Sequence, residues 1–475
     1  MATQTAHLIT QAPALSPERP VSWPKRTKTR LSNGLEVILA ESHAIPKFHG
    51  QLSFRSGNAA VVDRGPGLAE MTATCARTGT KLRVSRQIEE DLRRIGADLS
   101  SSAGADTTGI GFAGLSELAD PLLGLVDELA REAAFPEPEF ERERRQKLEE
   151  VKLDRTQPGF LASERLRKVL FGDHPYAIVA PTEVQVGAYK LPQVRQVYQE
   201  FYTPENALLV MVGDFDTAAM LRSIENTFGN WSGKKPAPNK TADPAQPKGR
   251  RVYLVDVPGA VQTQIMAGCH AITRKHADWI KIGLTNSLYG GAFNSRLVMN
   301  IREDKGYTYS PRSGVHALRQ HGYFSVSAAV RNDVVAASLT EMFYEMDKLR
   351  SVPVPEAELA DARNYLTGVF SMSLATQDGL LSQLATVALN DLPDDYLETY
   401  RERVRALTPA DLLATARKYF DSANMQIVVV GDRTQIEDQA KLFGDVEVYD
   451  AQGNRLSSSL TSDGLLKSAG LISTA

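Results

Sequence analysis

Apolar and polar residues follow two different periods along the first part of the chain. Residues 34–39 and 50–55 alternate between apolar and polar positions and predict a β-hairpin, and residues 107–114 return to a strand pattern. A helix is predicted to begin at Gly67, and another over residues 85–95, where Ile88, Leu92 and Ile95 keep helical spacing. These elements predict an α+β domain whose mixed or antiparallel sheet carries helices on one face.

Two distant segments of the chain resemble each other. Residues 201–214 read FYTPENALLVMVGD, and residues 419–432 read YFDSANMQIVVVGD. The similarity extends upstream, where residues 154–161 resemble residues 374–381. In each copy a short apolar run typical of a buried strand precedes a Gly-Asp turn and a helix. The pattern therefore predicts two tandem homologous domains.

A stretch rich in proline and lysine separates the two copies. Residues 232–249 read SGKKPAPNKTADPAQPKG and contain no large apolar residue, so they are predicted to form an extended linker. The predicted organisation is an N-terminal extension, a first domain, the linker, a second domain and a loosely attached tail, at residues 1–27, 28–231, 232–249, 250–450 and 451–475.

Composition narrows the class of protein. The 475 residues are 42% hydrophobic and 23% charged, with a net charge of −3, which is typical of a soluble globular protein and argues against nucleic-acid binding. Cys75 and Cys269 are predicted to be buried thiols rather than a disulfide. No apolar run reaches the roughly 18–20 residues that span a bilayer.

The cellular compartment stays open at this stage. The first 26 residues lack the basic start and apolar core of a signal peptide. A bacterial periplasmic location is favoured if such a peptide has been removed, and a cytoplasmic one otherwise.

Common catalytic motifs are missing from the sequence. No two of the eight histidines are three or four residues apart, so none predicts a helical metal site. The chain contains no Gly-x-Ser-x-Gly elbow, and its glycine-rich segments lack the context of a phosphate-binding loop.

A family resemblance begins at the helix that follows Gly67. Residues 67–80 read GLAEMTATCARTGT, and residues 141–158 read ERERRQKLEEVKLDRTQP. This order resembles the pitrilysin (insulinase) family of zinc peptidases, the inverzincins, in which Gly-Leu-Ala leads into His-x-x-Glu-His on a helix.

The resemblance assigns positions to the family's zinc site. It sets Glu70 at the first histidine, Ala73 at the general-base glutamate, Thr74 at the second histidine and Glu150 at the third ligand. Two carboxylates and a hydroxyl make a poor zinc site, although hard cations accept oxygen ligands. The resemblance therefore implies a degenerate site that binds no metal, and a chain that hydrolyses nothing alone.

The second copy contains the most specific match. Residues 290–314 read GGAFNSRLVMNIREDKGYTYSPRSG and resemble the family's second-domain signature. The resemblance implies that Arg302 and Tyr309 bind the substrate carbonyl, with Tyr307 as an alternative to Tyr309. The residues themselves leave another interpretation open, in which Arg302 pairs with a neighbouring carboxylate and Tyr309 is a half-buried strand aromatic.

Helical spacing predicts how Arg302 is presented. Phe293, Leu297 and Ile301 are expected to form the apolar stripe of a helix, with Arg302 beside it. Gly306 is expected to end that helix and to start an extended segment.

Together these features predict the non-catalytic subunit of a heteromeric zinc metallopeptidase. Family heterodimers of this kind imply a homologous partner that carries zinc, to whose active site this chain would supply Arg302 and Tyr309, with both subunits enclosing a chamber for peptide substrates. The alternative is a scaffold or peptide-binding protein without a peptidase role, resembling the core subunits of respiratory complexes.

Overall fold

The computed structural model describes residues 23–237 and 241–458, so residues 1–22 of the predicted extension and most of the predicted tail lie outside it. Within these residues thirteen strands form two sheets. The strands are β1 (Arg26–Arg30), β2 (Glu36–Glu41), β3 (Lys47–Phe54), β4 (Asp98–Ala103), β5 (Thr108–Leu115), β6 (Ala207–Gly213), β7 (Arg251–Asp256), β8 (Gln262–Ala271), β9 (Arg312–Ala317), β10 (Gly322–Arg331), β11 (Gln426–Gly431), β12 (Val446–Tyr449) and β13 (Arg455–Ser458).

Helices follow the strands in both halves. They are α1 (Asn58–Val61), α2 (Leu68–Ala76), α3 (Ser85–Ile95), α4 (Ala119–Arg131), α5 (Glu137–Asp154), α6 (Pro158–Phe171), α7 (Glu183–Gly187), α8 (Leu191–Phe201), α9 (Thr217–Phe228), α10 (Trp279–Asn286), α11 (Arg296–Val298), α12 (Val335–Ser351), α13 (Glu356–Ser373), α14 (Gln377–Leu389), α15 (Tyr396–Arg405), α16 (Pro409–Tyr419) and α17 (Arg433–Lys441). In the part of the chain that the structure describes, no helix is both long and apolar enough to cross a membrane.

The first sheet has the strand order β1-β2-β6-β3-β5-β4. The hairpin predicted from residues 34–39 and 50–55 is wrong, because β6 lies between β2 and β3, parallel to β2 and antiparallel to β3. All seven residues of β6 are buried, so this most apolar strand takes a central place in the sheet. A strand that arrives some 150 residues later in the chain therefore displaces the local pairing.

The second sheet repeats this arrangement in the order β13-β12-β7-β11-β8-β10-β9. Its β11 pairs in parallel with β7 and antiparallel with β8, as β6 does with β2 and β3. The predicted α+β class with two tandem homologous units is confirmed. One boundary needs correction, because β13 pairs with β12 and so continues the sheet into the predicted tail at residues 451–475.

One face of each sheet is covered by a helix from the other half of the chain. Helix α6 packs on β8 and β11, and α14 packs on β3 and β6. Leu166 and Phe171 of α6 share a core with Val428 and Val430 of β11. The central strands are buried on both faces and need cover on both. The exchanged helices α6 and α14 begin within the similar segments at residues 154–161 and 374–381.

Both cysteines are free thiols, as predicted. Cys75 is buried and Cys269 is half-buried, with its Sγ 3.7 Å from the carbonyl oxygen of Tyr419. Burial raises the pKa of each thiol to about 12, because a low-polarity environment disfavours the thiolate.

Candidate functional site

Helix α2 presents the first group of predicted site residues. It starts after Gly67, which has a φ of +76° and whose added Cβ would lie 2.8 Å from the hydroxyl oxygen of Tyr189, so glycine is favoured there. Glu70, Ala73 and Thr74 follow at one face of the helix. Ala73 is fully buried, whereas Glu70 and Thr74 reach the surface in part.

A lysine of helix α5 joins the two carboxylates of this group. The Nζ of Lys147 lies 2.9 Å from Oε1 of Glu70 and 3.1 Å from Oε2 of Glu150. Burial lowers the pKa of Lys147, but the charges and hydrogen bonds of Glu70 and Glu150 outweigh this effect and leave its pKa raised. Glu70 and Glu150 are therefore joined through Lys147, whose ammonium group contacts both carboxylates.

These residues do not fit a zinc ion. Zinc in proteins favours imidazole and thiolate ligands in a tetrahedral set, and this position offers two carboxylates in contact with an ammonium group, with Thr74 in place of an imidazole. Across residues 23–237 and 241–458, no group of three or more His, Cys, Asp or Glu side chains is placed to hold a metal.

The second group of site residues follows a helix that is interrupted. After α11 the chain continues as a π-helical segment, Met299–Asp304, which carries Arg302. Gly306 has a φ of +62°, and the N–H of Tyr307 donates to the carbonyl of Ile301 at 2.9 Å. This is the closure of a helix by a left-handed glycine, so the predicted helix end at Gly306 is confirmed.

Arg302 lies between two aromatic rings. Its guanidinium carbon is 4.7 Å from the ring centroid of Phe293 and 4.7 Å from that of Tyr309. Its Nε is also 3.2 Å from a carboxylate oxygen of Glu303. The structure thus brings Arg302 and Tyr309 together, and it shows the ion pair that the sequence left open as an alternative.

The apolar stripe predicted for this helix is wrong at one position. Leu297 and Ile301 are fully buried, but Phe293 is 70% exposed. Phe293 falls between the π-helical segment Ser287–Gly291 and α11, so the helical spacing that would align it with Leu297 is broken. Its ring covers one face of Arg302 instead.

The tyrosines on either side of Thr308 have different environments. Thr308 is buried and its hydroxyl donates to the carbonyl of Ala329 at 2.6 Å, which fixes this segment to β10. Tyr309 is 80% exposed, whereas Tyr307 is half-buried. Tyr309 is therefore not the half-buried aromatic of the alternative interpretation, and it is the tyrosine ring that stacks on Arg302.

The arrangement of Arg302 and Tyr309 can bind an oxygen atom. A guanidinium and a phenol both donate hydrogen bonds, and ring stacking restricts the plane of the guanidinium. The strong exposure of Tyr309 means that a ligand can reach its hydroxyl from outside the chain.

The sequence does not indicate the roles of two residues at these sites, Lys147 and Phe293. Lys147 is three residues before Glu150 on one helix, a spacing that predicts an ion pair between them but does not reveal the contact with Glu70 on another helix. Helical spacing predicts that Phe293 is a core residue, whereas its contact with Arg302 depends on where the helix is interrupted.

Comparisons with known proteins agree with the resemblance seen in the sequence. Residues 189–366 match the family model described as the peptidase M16 inactive domain. An uncharacterized zinc protease, YmxG, of Bacillus subtilis is 21% identical over 354 residues, covering 74% of this chain and 85% of the relative. An uncharacterized zinc protease of Streptomyces coelicolor is 24% identical over 348 residues, covering 71% and 75%.

Solved structures share the fold over most of the chain. A crystal structure of a peptidase M16 inactive domain from Pseudomonas fluorescens superposes with a TM-score of 0.80 at 26% identity, covering 86% of this chain and 98% of that one. A protease from Helicobacter pylori superposes with a TM-score of 0.81 at 20% identity, covering 86% and 99%.

The chain is thus similar to the pitrilysin, or M16, family of peptidases, through a family model over residues 189–366 and through relatives and solved structures that cover most of its length. The segment that matches the inactive-domain model includes Arg302 and Tyr309 but not Glu70 or Glu150. These findings support a non-catalytic member of the family.

Proposed function

We propose that this chain is the non-catalytic subunit of a heteromeric zinc metallopeptidase. In this proposal it supplies Arg302 and Tyr309 to the active site of a homologous, zinc-bearing partner, and it forms one wall of a chamber that encloses peptide substrates. The observation that carries the proposal is the exposed stack of Arg302 and Tyr309, at a ring-to-guanidinium distance of 4.7 Å.

The chemistry of the pair suits the binding of a peptide carbonyl. When a peptide bond is attacked, negative charge develops on the carbonyl oxygen, and donors held ready at that point lower the barrier. Arg302 supplies positive charge and directed N–H groups, and Tyr309 supplies an O–H group. The stack on Phe293 holds the guanidinium in place before a substrate arrives.

The first half of the chain gives the reason to place zinc in a partner. The buried methyl group of Ala73 stands where the family resemblance sets the general base, and a methyl group cannot accept a proton. Lys147 stands between the two carboxylates that the resemblance assigns to ligand positions. We therefore infer that zinc and general base both come from a subunit with an intact His-x-x-Glu-His motif.

The proposal is tested by co-expressing the chain with such a homologous subunit from the same genome. Peptide hydrolysis should require both chains and should be sensitive to a chelator. Arg302→Ala should lower kcat of the complex by about 10²–10³-fold, the usual effect of removing one donor to an oxyanion. Size-exclusion chromatography of the variant complex should show unchanged assembly.

Two further variants separate the role of Arg302 from a general loss of charge. Arg302→Lys keeps the charge but loses the planar fork, and should restore only part of the activity. Arg86→Ala removes an arginine whose side chain is 85% exposed, in the first half of the chain, and should leave kcat unchanged. Full activity of the Arg302→Ala complex would refute the proposed role and favour a scaffold.

A further inference from the structure

Lys147 is held in an environment unlike that of a surface lysine. Its side chain is 14% exposed, whereas Lys152, which follows further along α5 and is also paired with a glutamate, is 50% exposed. The ammonium group of Lys147 bonds to carboxylates on two different helices, Glu70 of α2 and Glu150 of α5. It therefore connects two elements of the fold, which the pair of Lys152 and Glu149 on a single helix does not.

The position of this ammonium group matters for metal binding. A cation held by both Glu70 and Glu150 would have to occupy the space between them, which the Nζ of Lys147 takes at 2.9 and 3.1 Å. A divalent ion there would meet a positive charge at close range and would lose both carboxylates as partners. The ammonium group itself offers no lone pair to a metal.

We propose that Lys147 is an internal cation that occupies the metal position of this domain, holding α2 to α5 through Glu70 and Glu150 and excluding metal ions. Loss of metal binding then has two components, the absent imidazoles at Glu70 and Thr74 and the lysine that fills the space. Restoring the histidines alone would not restore a zinc site. This inference concerns the isolated chain and does not depend on a partner subunit.

The exclusion is tested by rebuilding the ligands with and without Lys147. The Glu70→His/Thr74→His variant should bind zinc at least tenfold more weakly than the same variant with Lys147→Met added, measured by competition with a chromophoric chelator. Methionine keeps the apolar length of the side chain and removes the charge. Adding Lys152→Met instead should give no gain, because that lysine lies outside the site.

Two results would overturn the exclusion. Equal zinc affinity with and without Lys147 would show that the ammonium group does not compete with a metal. Absence of zinc binding in both variants, with circular dichroism showing that both are folded, would show that the position cannot hold a metal even when vacated.

The second part of the inference, that Lys147 joins the two helices, has its own measurement. In Lys147→Met the two carboxylates lose the cation between them and repel each other, so this variant should unfold at a lower temperature than the unsubstituted chain. Glu70→Gln should also lower the unfolding temperature of the unsubstituted chain, but added to Lys147→Met it removes one of two repelling charges and should recover part of the loss. An effect of Glu70→Gln that is the same with and without Lys147 would refute the bridging role.

Discussion

Leu166 in the first half of the chain packs directly on Gly268 in the second half. A Cβ added to Gly268 would lie 2.9 Å from Cδ2 of Leu166 and 2.6 Å from the carbonyl oxygen of Phe324. Only a glycine lets helix α6 approach β8 this closely. The two halves are therefore parts of one packed structure, in which each completes the core of the other.

This contact predicts the cost of shortening Leu166. Leu166 is fully buried between the halves, so Leu166→Ala should lower the free energy of unfolding by about 2–5 kcal/mol, from lost burial and the cavity left behind. Urea denaturation monitored by circular dichroism measures the change. Leu153→Ala, at a leucine that is 62% exposed, is the matched control and should change stability by no more than about 0.5 kcal/mol.

The two chemical features of Tyr309 can be separated by substitution. In the proposed heteromeric peptidase, Tyr309→Phe keeps the ring over Arg302 and removes the hydroxyl, so it should lower kcat with little change in KM. Tyr309→Ala also removes the stack and should lower kcat further. Because the side chain is strongly exposed, both variants should unfold at the temperature of the unsubstituted chain. Equal kcat for Tyr309→Phe and the unsubstituted chain would exclude a role for the hydroxyl.

Lowering the pH should reduce the stability of the folded chain through His174, a residue at the contact between the two halves. Its Nδ1 accepts the backbone N–H of Tyr176 at 3.1 Å, and its ring lies 5.1 Å from that of His321 in the second half. Burial lowers the pKa of His174 and the neighbouring His321 adds to this, so the folded chain holds His174 neutral. The unfolded chain takes up a proton below about pH 6.5, so this contribution to stability is complete above that pH and decreases below it.

The effect is measured as the change in unfolding temperature between pH 7 and pH 5. Asn can accept the same backbone N–H without titrating, so His174→Asn should lose less stability on acidification than the unsubstituted chain. Burial raises the pKa of Asp127 to about 6, so Asp127 increases stability on acidification. Because His174→Asn and the unsubstituted chain both contain Asp127, this effect does not change the comparison. His43→Asn is the control, because a hydrogen bond to Asp214 raises the pKa of His43, and it should not reduce the acid sensitivity. Identical pH profiles for His174→Asn and the unsubstituted chain would contradict the prediction.

The thiols provide a fourth prediction. With pKa values raised to about 12 by burial, Cys75 and Cys269 should react slowly with a disulfide reagent in the folded chain at pH 8. In guanidinium chloride without reductant, two thiols per chain should react at once. Fewer than two would indicate a disulfide or an oxidised cysteine.

Local patterns in the sequence were enough for several elements. Helix α3 has the predicted bounds, because its apolar spacing and its left-handed Gly96 act within a few residues of one another. The duplication was visible because similar strands, β6 and β11, end in the same Gly-Asp turn. The same kind of pattern predicted the helix end at Gly306.

Other features depended on contacts between residues that are far apart in the chain. Nothing near β2 and β3 in the sequence shows that β6 will come between them, and the apolar runs of α6 and α14 do not show which sheet each will cover. The predicted site residues were at one face of their elements, but the contact of Lys147 with Glu70 appears only when α2 and α5 pack together.

The sequence by itself thus determined the two-fold repeat, the α+β class and the residue types at the positions of the family's active site. The tertiary structure alone decided that the halves exchange helices, that Phe293 and Tyr309 stack on Arg302, and that an ammonium group lies between Glu70 and Glu150. The physical reason is range: periodicity and turn chemistry act over a few residues, whereas packing and ion pairing act between surfaces that only folding brings together.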